Sequence, residues 1–208
     1  MAIAVFGITG RTGKALIEAA HARGLELVGL ARRPVASPSA HVRVLVGELS
    51  DAEAVRQVVT GTRASICVFG PRPPDRDVFC AQATANVITA MQSAGSVRLL
   101  CQTGAMVGAL PPNVSPPMRW MAHRFARSRP QVAADRAAQE QLVRASRLDW
   151  TLVKPPRLRT TAASAPVRAG PTLRVGLLSA ISRSALAGFL LDEATAGRFV
   201  GQAVYVRD

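Results

Sequence analysis

The stretch Ala2-Ile3-Ala4-Val5-Phe6-Gly7-Ile8-Thr9-Gly10-Arg11-Thr12-Gly13 decides how the rest of the chain is read. Residues 2–6 are an unbroken apolar run, the pattern of a strand buried on both faces. Residues 11–23 then carry Ala15, Leu16, Ala19, Ala20 and Ala22 at helical spacing, with Gly24 as a stop signal. Between strand and helix stand Gly7, Gly10 and Gly13. In that context Gly7 permits a tight turn, Gly10 lets the backbone approach a pyrophosphate, and Gly13 lets the helix pack close to the strand. The N-terminus of the helix offers unpaired N–H groups and a partial positive charge to an anion. A turn that binds nothing could use the same glycines for packing alone.

Working outward, the same cadence repeats. Leu27–Ala31, Val42–Val46, Ile66–Phe69 and Val97–Cys101 read as strands. Asp51 is the expected N-cap of a helix carrying Ala54, Val55, Val58 and Val59, and Val78–Ala94 is a second helix ending at Gly95. Strand–helix alternation of this kind predicts an α/β fold, a Rossmann-like doubly wound parallel sheet with helices on both faces. The cadence breaks at residues 108–131, where Pro111, Pro112, Pro116, Pro117 and Pro130 predict a long loop or lid with at most one helix. A helix over 133–146 follows, then a strand at Trp150–Val153 ended by Pro155 and Pro156. Leu173–Val175 is a candidate short strand, Ser182 caps a helix through Leu191, and Ala203–Val206 is the last strand. The expected organisation is one NAD(P)-binding domain over residues 1–208, with a small substrate-side portion at about 155–208.

The end of the second strand selects the nucleotide. An acid there would bind a ribose 2′-hydroxyl. Leu30-Ala31-Arg32-Arg33-Pro34 instead presents two guanidinium groups, suited to a 2′-phosphate by charge and bidentate geometry. NADP(H) is therefore expected over NAD(H), although an arginine pair on a solvated surface would read the same. Glu48, after the third strand, is either near the adenine or simply solvated.

Composition sets the outer limits. The chain has 208 residues, 49% of them hydrophobic, enough for one sizeable core. No apolar run reaches the ~18 residues that span a bilayer, and the N-terminus lacks the basic start of a signal peptide. Cys67, Cys80 and Cys101 show no CxxC spacing, so neither a disulfide framework nor a metal site is expected, and the cytoplasm is the expected compartment. The net charge is +13, and only Lys14 and Lys154 among the 26 basic residues are lysines. Such a charge suits nucleic acid, an anionic membrane face or an anionic small molecule, or reflects a habit of using arginine on a solvated surface. Residues 111–168 hold eleven of the basic residues against three acids, so the excess is local.

The motifs taken together resemble the NmrA-like NAD(P)-binding proteins, the atypical short-chain dehydrogenases/reductases that include biliverdin reductase B (flavin reductase). The resemblance rests on GITGRTG (7–13), LARRP (30–34), VGELSDAEAV (46–55), CVFGPR (67–72), EQLVRAS (140–146), LDWTLVKPPRL (148–158) and ISRSALA (181–187). It implies that Gly7, Thr9, Gly10, Arg11, Thr12 and Gly13 meet the pyrophosphate and Arg32 and Arg33 the 2′-phosphate. Glu48 and Leu49 would lie near adenine, and Phe69, Gly70 and Pro71 along the ribose and nicotinamide side. Thr103, Gly104, Lys154, Pro155 and Pro156 would close around the nicotinamide.

Departures from the family matter as much. Typical short-chain dehydrogenases use a YxxxK pair, in which the lysine lowers the tyrosine pKa. The only tyrosine here is Tyr205, with no lysine nearby in sequence, so that mechanism is not expected. A serine found after the fifth strand in biliverdin reductase B corresponds to Thr103 only with a one-residue slip, and a histidine after the double proline is Arg157. A flavin or quinone needs little acid from the protein, because its reduced form takes protons from water. Thr103 and Arg157 are the candidate catalytic groups, and Met106, Trp120 and Arg157 the candidate substrate contacts, with Arg159 a further anchor for an anionic group. Met118, Met121 and Phe125 share a helical face, so the segment around them is a lid over a planar acceptor, a packed helix, or a partner or nucleic-acid contact.

The expected function is an NADP(H)-dependent reductase of a planar acceptor such as a flavin, a quinone or an aromatic natural product. It would act as a monomer or homodimer, with neither nucleic acid nor membrane as partner. A non-catalytic NADP(H) sensor of NmrA type is the alternative, and non-redox tailoring chemistry on the same fold is a third.

Overall fold

The computed structural model describes residues 2–35, 40–71, 78–161 and 165–208. Its first half follows the expected alternation: β1 (Ile3–Phe6), α1 (Arg11–His21), β2 (Leu27–Ala31), β3 (Val42–Val46), α2 (Ala52–Val59), β4 (Ala64–Cys67), α3 (Cys80–Ala94) and β5 (Arg98–Gln102). The second half holds α4 (Pro116–Ser128), α5 (Pro130–Ala145), β6 (Asp149–Lys154), β7 (Arg157–Arg159), β8 (Arg168–Gly170), β9 (Ala180–Ser182), α6 (Arg183–Ala196) and β10 (Gln202–Arg207).

Eight strands form one sheet in the order β3-β2-β1-β4-β5-β6-β10-β8. All neighbours are parallel except β8, which runs antiparallel to β10 at the edge. The chain leaves β1 toward β2 and β3, then returns to lay β4 on the other side of β1. That change of direction opens a crevice at the carboxyl ends of β1 and β4, where ligands of such sheets bind.

Strand periodicity divides the core into two layers. Ile3 and Val5 join a cluster with Leu16 of α1 and Leu186 of α6. Ala4 and Phe6, pointing the other way, join Val55 of α2, Val87 of α3 and Val143 of α5. Each such buried side chain contributes about 1.5–3 kcal/mol relative to exposure. The helix starts match their capping signals. The Asp51 carboxylate accepts from the N–H groups of Glu53 and Ala54, and the Ser182 hydroxyl accepts from Ala185 N–H.

In the region 108–131 the one helix allowed for is α4, and the next helix, α5, begins before the region ends. Pro116 and Pro117 open α4, and Pro130 opens α5 three residues earlier than periodicity suggested. A proline in the first helical turn gives up an N–H that has no partner anyway, so these prolines start helices instead of preventing them. Leu173–Val175 is not a strand; Val175 makes only an isolated bridge to Val114. β7 and β9 pair with each other in a separate two-stranded sheet, and β8 adds the antiparallel edge. These three-residue strands are too short to carry a period. Among the described residues no helix is long and apolar enough to cross a membrane.

Candidate functional site

A cleft of about 880 Å³ opens at the carboxyl ends of β1 to β4. Gly7, Thr9 and Gly10 line it from the β1–α1 turn, Arg32 from the end of β2, Glu48 and Leu49 from the segment after β3, and Phe69 and Gly70 from the segment after β4. Val78, Phe79, Gln82 and Asn86 close the α3 side. The cleft therefore brings together residues that lie far apart in sequence.

The turn admits nothing larger than glycine at two positions. Gly7 has φ +95°, and a Cβ there would lie 2.8 Å from Phe69 N. A Cβ on Gly13 would come 2.3 Å from the Ile8 carbonyl oxygen and 2.4 Å from that of Gly7. The first turn of α1 is thus pressed directly onto the turn before it. Its N-cap is Gly10, which supplies no side-chain acceptor, and the first turn carries no acid. α2 does the opposite and satisfies its own start with Asp51 and Glu53. The N–H groups at the start of α1 are left for an external anion. Arg11 stands exposed at this start, while Thr12 and Gly13 are buried.

Arg32 and Arg33 are both exposed, but only Arg32 lines the cleft. Ser50 donates to Glu48 Oε2 at 3.3 Å, and Asn86 Nδ2 donates to the Leu49 carbonyl at 2.7 Å, tying α3 to the segment after β3. Phe69 and Phe79 lie with ring centroids 5.9 Å apart. Pro71 is half-buried beside the cleft without lining it, and Arg72 of the CVFGPR motif falls outside the described residues.

The residues expected around the nicotinamide form a buried network. Thr103 Oγ1 donates to Glu140 Oε1 at 2.6 Å. Lys154 Nζ donates to both Glu140 oxygens, at 2.7 and 2.9 Å, and to the Val107 carbonyl at 2.6 Å. Burial pushes the Lys154 ammonium pKa down, while the Glu140 carboxylate beside it pushes it back up. Lys154 is only 1% exposed and spends its donors inside the protein. Lys154, expected at the nicotinamide, thus has its donors on Glu140 and Val107, and Glu140 in turn holds Thr103. Gly104 is half-buried, and the Pro155 carbonyl, accepting from Ala105 N–H, fastens this loop to the end of β6, with Pro156 half-buried beside it.

Tyr205, with no lysine near it in sequence, has one beside it in space. Tyr205 is the cross-strand partner of Lys154, whose Nζ lies 6.0 Å from the ring centroid. Separation in sequence hid a neighbour created by β6–β10 pairing. Yet the Lys154 donors point at Glu140 and Val107, and burial pushes the Tyr205 phenol up to about 12.

Sequence reasoning missed the polar stripe of α5. Asp135 accepts from Cys80 N–H and Ala81 N–H, both at 2.9 Å, capping α3 from another helix. Arg136 donates to the Gln102 carbonyl at 3.3 Å and to Gln139 Oε1 at 2.7 Å, and Gln139 donates to Thr84 at 2.8 Å. These buried groups, with Glu140, hold the ends of β5 and α3. Their i, i+1, i+4, i+5 spacing was visible, but such a stripe normally faces water.

The expected acceptor-binding residues lie outside the lining of this cleft. Arg157 is exposed on β7, Met106 is half-buried against the cluster around Tyr205, and Trp120 is 63% exposed. None lines the cleft. Arg124 stacks over Trp120 within α4, 5.0 Å from the ring centroid. The buried face of α4 is Met118 and Ala122, not the expected Met118–Met121–Phe125 stripe. The three cysteines are buried, and burial pushes the Cys80 thiol up to about 11 and that of Cys101 up to about 12. Among the described residues no group of three or more side chains could hold a metal ion.

A sequence model for NAD(P)H-binding proteins matches residues 7–196, which include every residue lining the cleft and six of the eight strands of the sheet. The chain belongs to the NAD(P)H-binding family. It is 31% identical, over 121 residues, to a 3-diazoavenalumate denitrifying reductase from a Streptomyces species; the match covers 52% of this chain and 40% of that protein. The chain thus spans well under half the length of that relative. Two solved structures share the fold over the full chain. One is ChuY, an anaerobillin reductase from Escherichia coli O157:H7, with TM-score 0.81, 20% identity and 97% of its chain covered. The other is a Streptococcus pneumoniae protein provisionally described as an NADH-flavin reductase, with TM-score 0.79, 21% identity and 99% covered.

Proposed function

We propose that this protein is an NADP(H)-dependent oxidoreductase that reduces a planar acceptor, such as a flavin, a quinone or an aromatic compound, without a Tyr–Lys acid. The observation that carries this reading is the open start of α1. A helix with no cap and no acid, pressed onto a glycine turn, faces a cleft with Arg32 on its wall.

Gly7, Thr9, Gly10, Arg11, Thr12 and Gly13 would hold the diphosphate through N–H groups and the helix dipole. Arg32, with Arg33 beside it, would bind the 2′-phosphate and select NADP(H) over NAD(H). Glu48 and Leu49 would border the adenine, and Phe69, Gly70 and Pro71 the ribose. Thr103, Gly104 and the Pro155–Pro156 turn would flank the nicotinamide. When bound, the nicotinamide supplies the hydride; the protein supplies orientation. The raised Tyr205 pKa supports a mechanism in which Tyr205 is not the acid, because a donor for this chemistry needs its pKa lowered toward neutrality. The acceptor's own proton demand would be met from water. The names of the Streptomyces, Escherichia coli and Streptococcus proteins support a reductase. The working form would be one domain, as monomer or homodimer, acting on a small molecule in the cytoplasm.

A second reading has its own support. None of Met106, Trp120 and Arg157 lines the cleft, and Trp120 stands exposed, as a docking residue of an NADP(H) sensor would. Assaying NADPH oxidation with FMN, FAD and menadione separates the two. Turnover with any of them is expected. Tight NADPH binding without turnover would favour the sensor, and no NADPH binding would overturn both. Arg32→Glu should weaken NADPH by about 10- to 100-fold, the range of a lost charge-assisted contact, and leave NADH nearly unchanged.

A further inference from the structure

A groove of about 1080 Å³ runs along the β8 edge of the sheet, where β8 and the segment after it come beside α6. It shares no lining residue with the cleft at the ends of β1 to β4. Five arginines line it, Arg23, Arg168, Arg174, Arg198 and Arg207, against one acid, Asp192. Asp192 is already engaged by Arg23 at 2.7 Å. Arg198 reaches Glu193 only at 3.5 Å, and that carboxylate is held by Arg98 at 2.7 Å. Among the described residues no carboxylate pairs with Arg168, Arg174 or Arg207. Asp208, next to Arg207 in the chain, accepts instead from Arg159 and from the Ser182 N–H.

Two observations mark the place of an anion. Arg168 and Arg207 are directly opposite each other in the antiparallel β8–β10 pair, so two like charges stand on one face at the sheet edge. Like charges placed in this way destabilise a sheet, and an anion bound to both reverses the sign. The Arg207 Nε is buried and has no hydrogen-bond partner. A buried donor left unpaired costs stability that a bound acceptor restores. Phosphate and carboxylate groups fit, because each offers two oxygens to a planar guanidinium fork.

We propose that this groove binds a small anion carrying at least two phosphate or carboxylate groups. Arg168 and Arg207 clamp one group, and Arg174 and Arg198 supply charge for the next. The volume suits a small ligand, whose sites run to about 1,000 Å³. The two rings in the lining, Phe189 and Phe199, are buried and half-buried, which leaves no open ring on which nucleic-acid bases would stack. A second copy of the chain docking through the same groove would bring the same arginines and be repelled.

The test is titration calorimetry of the full chain with sodium triphosphate and with citrate at about 0.15 M salt, where exposed charges more than roughly 8 Å apart are screened. At least one should bind the wild type, triphosphate reporting a phosphate site and citrate a carboxylate site. Arg168→Glu places a carboxylate opposite Arg207. It should raise Tm, because repulsion becomes attraction, and weaken the bound anion by about 10- to 100-fold. Arg127→Glu makes the same change of charge at an exposed position of α4 and should weaken the anion by no more than about 2-fold. Binding should persist with NADPH in excess. Binding of neither anion, equal losses in the two variants, or a lower Tm for Arg168→Glu would overturn the proposal. Displacement by NADPH would overturn it by assigning the anion to the cleft. A DNA duplex that binds more tightly than either anion, and is lost equally in Arg168→Glu, would overturn it in favour of nucleic acid.

Discussion

Gly13→Ala places one methyl group where the chain has no room. The new Cβ would lie 2.3 Å from the Ile8 carbonyl oxygen, 2.4 Å from the Gly7 carbonyl oxygen and 2.5 Å from the Ile8 carbonyl carbon. Ordinary carbon–oxygen contacts start near 3.3 Å, so the first turn of α1 must recede by about 1 Å. All three clashing atoms are backbone in the turn itself, so no side chain can rotate away. Overpacking of this kind costs about 1–3 kcal/mol, which for a chain of this size lowers Tm by roughly 2–4 °C per kcal/mol. The functional loss should be larger, because a displacement of ~1 Å at a site that positions reactants costs on the order of 100-fold in kcat/KM. Two glycines calibrate the scale. A Cβ on Gly10 meets only the Gly7 carbonyl oxygen, at 3.1 Å, and a Cβ on Gly70 meets nothing within 4 Å. Tm by calorimetry should fall for Gly13→Ala, fall less for Gly10→Ala, and stay put for Gly70→Ala. NADPH affinity by titration should fall for Gly13→Ala in parallel with its Tm. Equal Tm values for the Gly13 and Gly70 variants would show that α1 does not press on the turn as described.

Four further outcomes follow from buried groups. Asp135→Ala strands the Cys80 and Ala81 N–H groups, each 2.9 Å from the carboxylate, and should cost about 3 kcal/mol in urea unfolding; a loss below about 0.5 kcal/mol would remove Asp135 from the α3 cap. Lys154→Met alone leaves the Glu140 carboxylate buried without its cation and should cost about 3–5 kcal/mol, most of it regained on adding Glu140→Leu; no recovery in the double variant would mean that the pair is not the source. Burial raises Cys80 to about 11 and Cys101 and Tyr205 to about 12, from ordinary values of 9.0 and 10.0. The unfolded chain ionises these groups first, so their contribution to stability should be constant between neutral pH and about pH 9 and be lost as the pH rises toward 12. A thiol reagent at pH 8 should label the native protein slowly and the denatured protein fully; rapid native labelling would contradict the placement of the cysteines.

The cradle was legible because every part of it is local. Residues 2–13 hold a strand, a turn and a helix start within one stretch, and the steric reasons for Gly7 and Gly13 act between neighbours in sequence. Arg32 was legible for the same reason, being the residue that follows a strand end. The prolines at 116, 117 and 130 misled because proline marks a loop and the first turn of a helix alike; only the chain after it distinguishes them.

The amino-acid sequence by itself determined the doubly wound sheet and the glycine turn that opens its first helix, since both follow from short-range periodicity and the backbone freedom of glycine. Tertiary structure alone decided what surrounds them. Asp135, Arg136, Gln139 and Glu140 have the spacing of a stripe that normally faces water, and are buried because α5 lies against the ends of β5 and α3. Lys154 and Tyr205, 51 positions apart, became neighbours through the pairing of β6 with β10. A period along the chain reports which face of an element is apolar. It does not report which other element covers a polar face, and a charge buried against a distant partner is set by that second fact.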